Sequence, residues 1–223
     1  MKQLKSSLIA LALAAFAVGC ATKGYQKADN AGAYLGATAQ RVDRGIGQID
    51  AATGVLQDLV ENPQADMKAQ FKAYSSAVAS LESLTKDMGS RAAKVHSLGT
   101  NYLKKWDDNL ATIQNEDIRK QSAERKAEVM KKFDAVKASY KDARDEFLPL
   151  LADLRDIRTA LSTDLTTAGV EAIRKSMTGV NKRAKDVRKS LADLSTQFKE
   201  FGKSLEVPVP PPAPKTGGAA PTK

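Results

Sequence analysis

One cysteine and one histidine are all that 223 residues carry of the two softest metal ligands. A zinc site takes about four N, S or O ligands in tight geometry, so no metal centre or cofactor is expected. Nucleophilic catalysis through an imidazole needs a base and a third group to orient it. The only imidazole, His96, lies beside Val95 in a stretch of helical period with no nucleophile elbow around it, and reads as a polar helix flank. No glycine-rich phosphate loop or Walker-type lysine occurs. Carboxylate pairs such as Asp107 with Asp108, or Asp153 with Asp156, lack any signal for a cavity that would shift a pKa and read as solvated faces. A non-enzymatic protein is expected. Aromatic residues make up only 5% of the chain and no alternating β-type stretch appears, so the core must be thin and built from helix seams.

What is present is helical period. Apolar or small residues recur in alternating steps of three and four at Leu35, Ala39, Val42, Ile46, Ile49, Thr53, Leu56 and Val60. A second series runs from Met67 through Tyr74, Leu81 and Val95 to Trp106, weakened only at Thr85 and Gly99. A third runs without a slip from Val129 to Leu161, and a fourth from Val170 to Leu205. Met67, Met88 and Met177 fall on these series and read as core filling. Steps averaging 3.5 residues predict left-handed supercoiling. Short breaks between long amphipathic segments predict antiparallel neighbours. The expected fold is all-α, an elongated antiparallel coiled-coil bundle of up to four long helices near 25–61, 63–114, 116–165 and 167–205.

The breaks carry helix-start chemistry. Asn62 is placed to cap a helix whose first turn holds Pro63. Asn115 precedes Glu116 and Asp117, which set negative charge at a helix N-terminus. Thr166 and Thr167 precede Gly169. Pro149 removes one donor inside the third helix and should displace the carbonyl of Asp145, giving a static kink or a hinge. Gly32 and Gly36 form a small-xxx-small pair in a polar context, which reads as close helix packing.

The chain opens with Met1-Lys2-Gln3-Leu4-Lys5, continues through an apolar run from Leu8 to Val18, and reaches Ala17-Val18-Gly19-Cys20. A basic start, a short apolar stretch and small residues before a cysteine are the pattern of a lipoprotein signal. Ala17 stands where such signals prefer Leu; an ordinary secretory signal and a buried free cysteine are the other readings. Lipidation of Cys20 would anchor the mature chain through acyl chains worth roughly 0.8 kcal/mol per buried methylene. Ala21, rather than Asp, follows the cysteine, which under Gram-negative sorting rules favours the outer membrane, facing the periplasm. The expected organisation is a signal peptide at 1–19, an anchor linker at 20–24, a helical domain at 25–205 and a disordered proline-rich tail at 206–223. Loss of Lys2 and Lys5 with the signal lowers the formal charge from +9 to +7.

Trp106-Asp107-Asp108-Asn109-Leu110, Asp117-Ile118-Arg119-Lys120-Gln121-Ser122, the run from Phe147 to Ile157, and Leu161-Ser162-Thr163-Asp164-Leu165 resemble a family of bacterial helical proteins known only as a domain of unknown function. Its members are often carried behind lipoprotein signals. The resemblance covers Tyr25 to Phe201 and implies a helical, coiled-coil envelope protein; it transfers no catalytic residue, ligand or partner.

Charge supplies two candidate binding regions. Arg174, Lys175, Lys182, Arg183, Lys185, Arg188 and Lys189 are opposed only by Asp186 and outline a basic ridge on the fourth helix. Such a ridge attracts anionic lipid, cell-wall polymer or an acidic protein face through long-range fields, or is simply a solvated face. Nucleic acid is not expected, because interleaved aromatics are missing. The second region is the turn at Asn115, where Lys104, Lys105 and Trp106 on one arm face Arg119 and Lys120 on the other. The assigned helix lengths predict that this tip overshoots the anchored end of the first helix by roughly 20 Å and rests on the membrane, unless Trp106 belongs to the seam. The expected function is a membrane-anchored spacer or scaffold of the envelope, with a binding module for anionic lipid or polymer as the alternative; oligomeric state is not legible.

Overall fold

The computed structural model describes residues 22–206, so the signal peptide, Cys20 and the proline-rich segment from 207 onward lie outside the described residues. All secondary structure within them is helical: α1 (Thr22–Glu61), α2 (Lys68–Leu110), α3 (Glu116–Thr163), α4 (Thr167–Arg174) and α5 (Met177–Leu205). α3 alone is 48 residues, or about 72 Å at 1.5 Å per residue.

The four long segments close a ring in which α1 packs on α2 and α5, and α3 packs on the same two. Cross-helix pairs give the directions. Asp58 meets Gln70 and Arg41 meets Asp87 between α1 and α2. Tyr74 meets Leu154 and Trp106 meets Ser122 between α2 and α3. Asp50 meets Arg188 and Asp43 meets Lys199 between α1 and α5. In every pair, numbers rise along one helix as they fall along the other, so each neighbour runs antiparallel.

The core is a column rather than a ball. Two apolar clusters follow one another along it, one around Leu56, Tyr74, Leu81, Leu154 and Val180, the other around Leu35, Val95, Phe133, Leu194 and Phe198. The heptad positions predicted for the third and fourth helices are buried, except Tyr140 and Leu191, which are half-buried. Thr53, the polar member of the first series, is tolerated because its hydroxyl donates back to the Ile49 carbonyl. At Gly32 the backbones of α1 and α5 nearly touch, and a Cβ there would lie 2.8 Å from the Gly202 carbonyl oxygen. A Cβ on Gly36 has no such neighbour within 4 Å, although the Gly36 nitrogen lies 3.6 Å from where a Gly202 Cβ would be, so both glycines border α5 but only Gly32 has no room for a side chain.

Several boundaries differ from the sequence reading. Asn62 does not cap α2: its N–H donates to the Asp58 carbonyl and closes α1. Gln70 then holds residues 62–67 as a loop. Its amide donates to the Asp58 carboxylate and the Asn62 carbonyl, and its oxygen accepts from the Gln64 N–H. α2 therefore starts five residues after Pro63, with Asp66 accepting from the Lys68 N–H. The expected fourth helix is divided at residues 175–176, where the Ser176 N–H bonds to Ile173 three residues back; the seam continues from Ile173 to Met177 across this tight turn. α1 begins at Thr22, inside the segment read as linker. Asn115 and Thr166 do cap, accepting from the N–H groups of Ile118 and Gly169. α3 runs unbroken through an exposed Pro149.

Candidate functional site

Three segments converge at one end of the bundle: the start of α1, the α2–α3 turn and the end of α5. A Cβ on Gly24 would lie 3.8 Å from the Asn109 amide, so α1 begins level with the last turn of α2. The expected 20 Å overshoot of the tip past α1 is absent, because α1 starts earlier and α2 both starts later and ends sooner than the periodicity implied. The tip does outrun α5. Arg125 reaches the Ser204 carbonyl, which leaves the first nine residues of α3, about 13 Å, beyond the last turn of α5.

That stagger explains an apolar surface the sequence reading missed. Among the described residues the exposed large hydrophobics are Tyr25, Ile118 and Met130, and the first two lie at this end. Ile118 keeps the helical phase of Ser122 and Val129, but α5 has ended before it can cover the side chain, which is 57% exposed. Neither residue belongs to the series read from the sequence, which begin at Leu35 and Val129; the shorter reach of α5 leaves Ile118 bare.

The tip cations are unevenly committed. Lys104 pairs with Asp108 one turn on, Arg119 approaches Glu116 at 3.9 Å, and Lys126 bridges to Asp107 across the hairpin. Lys120 has no ion pair among the described residues. Trp106 is half-buried, its indole N–H donating to the Ser122 hydroxyl at 2.9 Å and its ring 5.5 Å from Tyr102. Together with Gly24, Tyr25 and Lys105 it lines an open groove of about 410 Å³. Burial pushes the Tyr102 phenol above its ordinary pKa.

The basic ridge is not one continuous surface. Arg174 donates to Glu171 and to the Val60 carbonyl at the end of α1, Arg183 pairs with Asp153 of α3, and Arg188 with Asp50 of α1. These arginines tie helices together. Lys175, Lys182, Lys185 and Lys189 are exposed and without an ion pair among the described residues, and the last three share one stripe of α5.

Elsewhere carboxylates clamp helix to helix. Hydrogen bonds from Arg155 and Arg158 hold Glu82 below the ordinary carboxylate range, and one from Arg41 does the same for Asp87. Burial alone would raise Asp43, yet its bonds from Lys199 and Ser195 outweigh this and leave it lowered. His96 lies on an exposed flank against the Phe133 ring. Among the described residues no group of three or more His, Cys, Asp or Glu could hold a metal ion, and no helix is long and apolar enough to cross a membrane.

The family described as "Protein of unknown function (DUF2959)" matches residues 20–205. The chain belongs to this family. The match runs from residue 20 through the last residue of α5, so the DUF2959 unit takes in the whole bundle, both ends included. No curated protein and no solved structure matches the chain.

Proposed function

We propose that this DUF2959 chain is a non-enzymatic envelope lipoprotein: a rod anchored through acylated Cys20, standing on the periplasmic face of the outer membrane as a spacer or scaffold. One observation carries the reading. The end of the bundle nearest Cys20 is also the end where Tyr25 and Ile118 are bare beside Lys104, Lys105, Arg119 and Lys120. Thr22 follows Cys20 by two residues, so an acyl anchor reaches no farther than about 7 Å of chain from the start of α1. The family match beginning at residue 20 agrees with a mature chain that starts there. The acyl chains on Cys20 would hold the start of α1 at the surface; two apolar side chains among cations would add a second contact there, with Lys and Arg worth about 1 kcal/mol each at an anionic surface. The far end, some 60–70 Å away by helix length, then presents the loops at 62–67 and 164–166 to whatever the rod meets. The stripe of Lys182, Lys185 and Lys189 supports a second reading, a contact for anionic lipid or polymer along the shaft; its arginine neighbours are occupied within the bundle.

Replacing Cys20 with Ser tests the anchor. The variant should leave the membrane fraction or retain its signal peptide, whereas normal processing with unchanged membrane retention would overturn the lipoprotein reading. For the tip, a spin label on Gln114→Cys in the Cys20→Ser background should lose water accessibility when anionic vesicles are added. An unchanged label would remove the membrane contact from the account.

A further inference from the structure

Halfway along the bundle, where its two apolar clusters meet, the structure holds a lateral cleft of about 240 Å³ between α2, α3 and α5. Leu84 and Met88 of α2, Tyr140 and Phe147 of α3, and Leu191 of α5 form its walls. Met88 and Leu191 border both clusters and are only partly buried, as expected of core side chains that face an opening. The cavity beside Phe133, farther along the column, amounts to only about 10 Å³, and the wider openings beside Trp106 and Phe201 have more polar linings.

The chemistry of the lining is lopsided. Arg144 is its one charged residue. It lies one helical turn from Tyr140, and its charge acts on the Tyr140 phenol. The neighbouring carboxylate Asp145 is hydrogen-bonded by Lys141 and also feels the Arg144 charge, but the exposed Arg144 itself forms no ion pair or hydrogen bond among the described residues. The other polar groups are already spoken for. The Tyr140 hydroxyl reaches the Met88 carbonyl at 3.4 Å, and the Thr85 hydroxyl donates to the Leu81 carbonyl. An uncommitted guanidinium at the edge of an apolar cleft matches a ligand with one anionic head and one apolar body, since its planar donor fork suits a carboxylate. The volume holds about eight water-sized groups, room for about eight methylenes of an acyl chain whose end leaves through the lateral opening, and too little for a helix of another protein.

We infer that this cleft binds a single-chain fatty carboxylate, its tail among Leu84, Met88, Phe147 and Leu191 and its head on Arg144. The inference does not depend on the anchoring reading, because it concerns the middle of the shaft.

The chain from residue 20 onward, carrying Cys20→Ser so that no acyl group of its own competes, can be titrated with dodecanoate by calorimetry below the micelle concentration. Saturable one-to-one binding is expected, with dodecanol at least tenfold weaker. Arg144→Gln should weaken dodecanoate by roughly 10–100-fold, the worth of one charge-assisted hydrogen-bonded contact, and bring it level with dodecanol. A Cβ at Gly89, which also lines the cleft, meets nothing within 4 Å, and Leu is a better helix former than Gly. Gly89→Leu should therefore keep the helical circular dichroism and melt of the parent while abolishing binding. No saturable binding, equal affinity for dodecanol, or undiminished binding in folded Gly89→Leu would each overturn the inference. So would a concentration-dependent dimer that Gly89→Leu disrupts and dodecanoate does not, which would assign the cleft to a second copy of the chain.

Discussion

Gly32 and Gly36 lie one turn apart on α1, yet the same substitution should move stability in opposite directions. A Cβ on Gly32 would sit 2.8 Å from the Gly202 carbonyl oxygen and 3.6 Å from the carbonyl carbon. Ordinary van der Waals contact begins several tenths of an ångström farther out, and the obstacle is helix backbone, so α1 and α5 must separate locally. Forced overpacking of this kind costs about 1–3 kcal/mol. Removing a glycine from a helix interior returns up to about 1 kcal/mol. With the full helix gain subtracted, the net for Gly32→Ala is a loss of about 0–2 kcal/mol, or a Tm lower by up to about 8 °C for a chain of this size. Gly36→Ala meets nothing within 4 Å and keeps only the helix gain, so its Tm should rise by about 1–4 °C. Gly202→Ala is the reciprocal of the first, with its Cβ 2.9 Å from the Gly32 carbonyl oxygen. Because one separation of the helices relieves both clashes, Gly32→Ala with Gly202→Ala should cost less than the two single changes added. Thermal and urea melts followed by circular dichroism at 222 nm measure all four variants. A shift of the same sign for Gly32→Ala and Gly36→Ala would refute the α1–α5 contact as described.

Leu154 is fully buried, so Leu154→Asp should cost several kcal/mol through lost packing and an unpaired buried charge, whereas Asp153→Ala breaks only an exposed pair with Arg183 and should cost at most about 1 kcal/mol in the same melts. Tyr74→Phe deletes a buried hydrogen bond of 2.7 Å to the Leu154 carbonyl and should destabilise by about 0.5–1.5 kcal/mol; a neutral urea midpoint would count against that bond. Asp43, Glu82 and Asp87 have folded pKa values below their ordinary ones. The stability they contribute is complete above the unfolded values near 4 and is lost as pH falls through the lower folded values. Melting temperature should therefore hold between about pH 5 and 7 and drop below pH 4, and a Tm that rises on acidification would contradict these pairs.

Residue period determined the helical class, the inward phase of each helix and two of its starts. Val129 to Leu161 and Val170 to Leu205 were legible because burial direction repeats with the helix itself. The breaks at Asn115 and Thr166 were legible as helix starts, and both residues turn out to cap, because a short polar side chain bonds the N–H three residues ahead, a local act. Asn62 misled because Gln70, a full loop away, supplies the oxygen that accepts from the Gln64 N–H, the donor an Asn62 cap would have taken, while its amide ties down the Asn62 carbonyl. The basic ridge looked continuous for a related reason: a run of cations shows its own helix, not that Asp153 and Asp50 wait on α3 and α1 to take Arg183 and Arg188. Axial stagger is likewise invisible to a period. It decides that Ile118 outlives its neighbour α5, that Gly32 rather than Gly36 points its Cα at the Gly202 carbonyl, and that Arg144 comes to edge a cleft. A heptad records which way each residue faces; what it faces depends on how far antiparallel helices slide past one another, and only packing in three dimensions sets that distance.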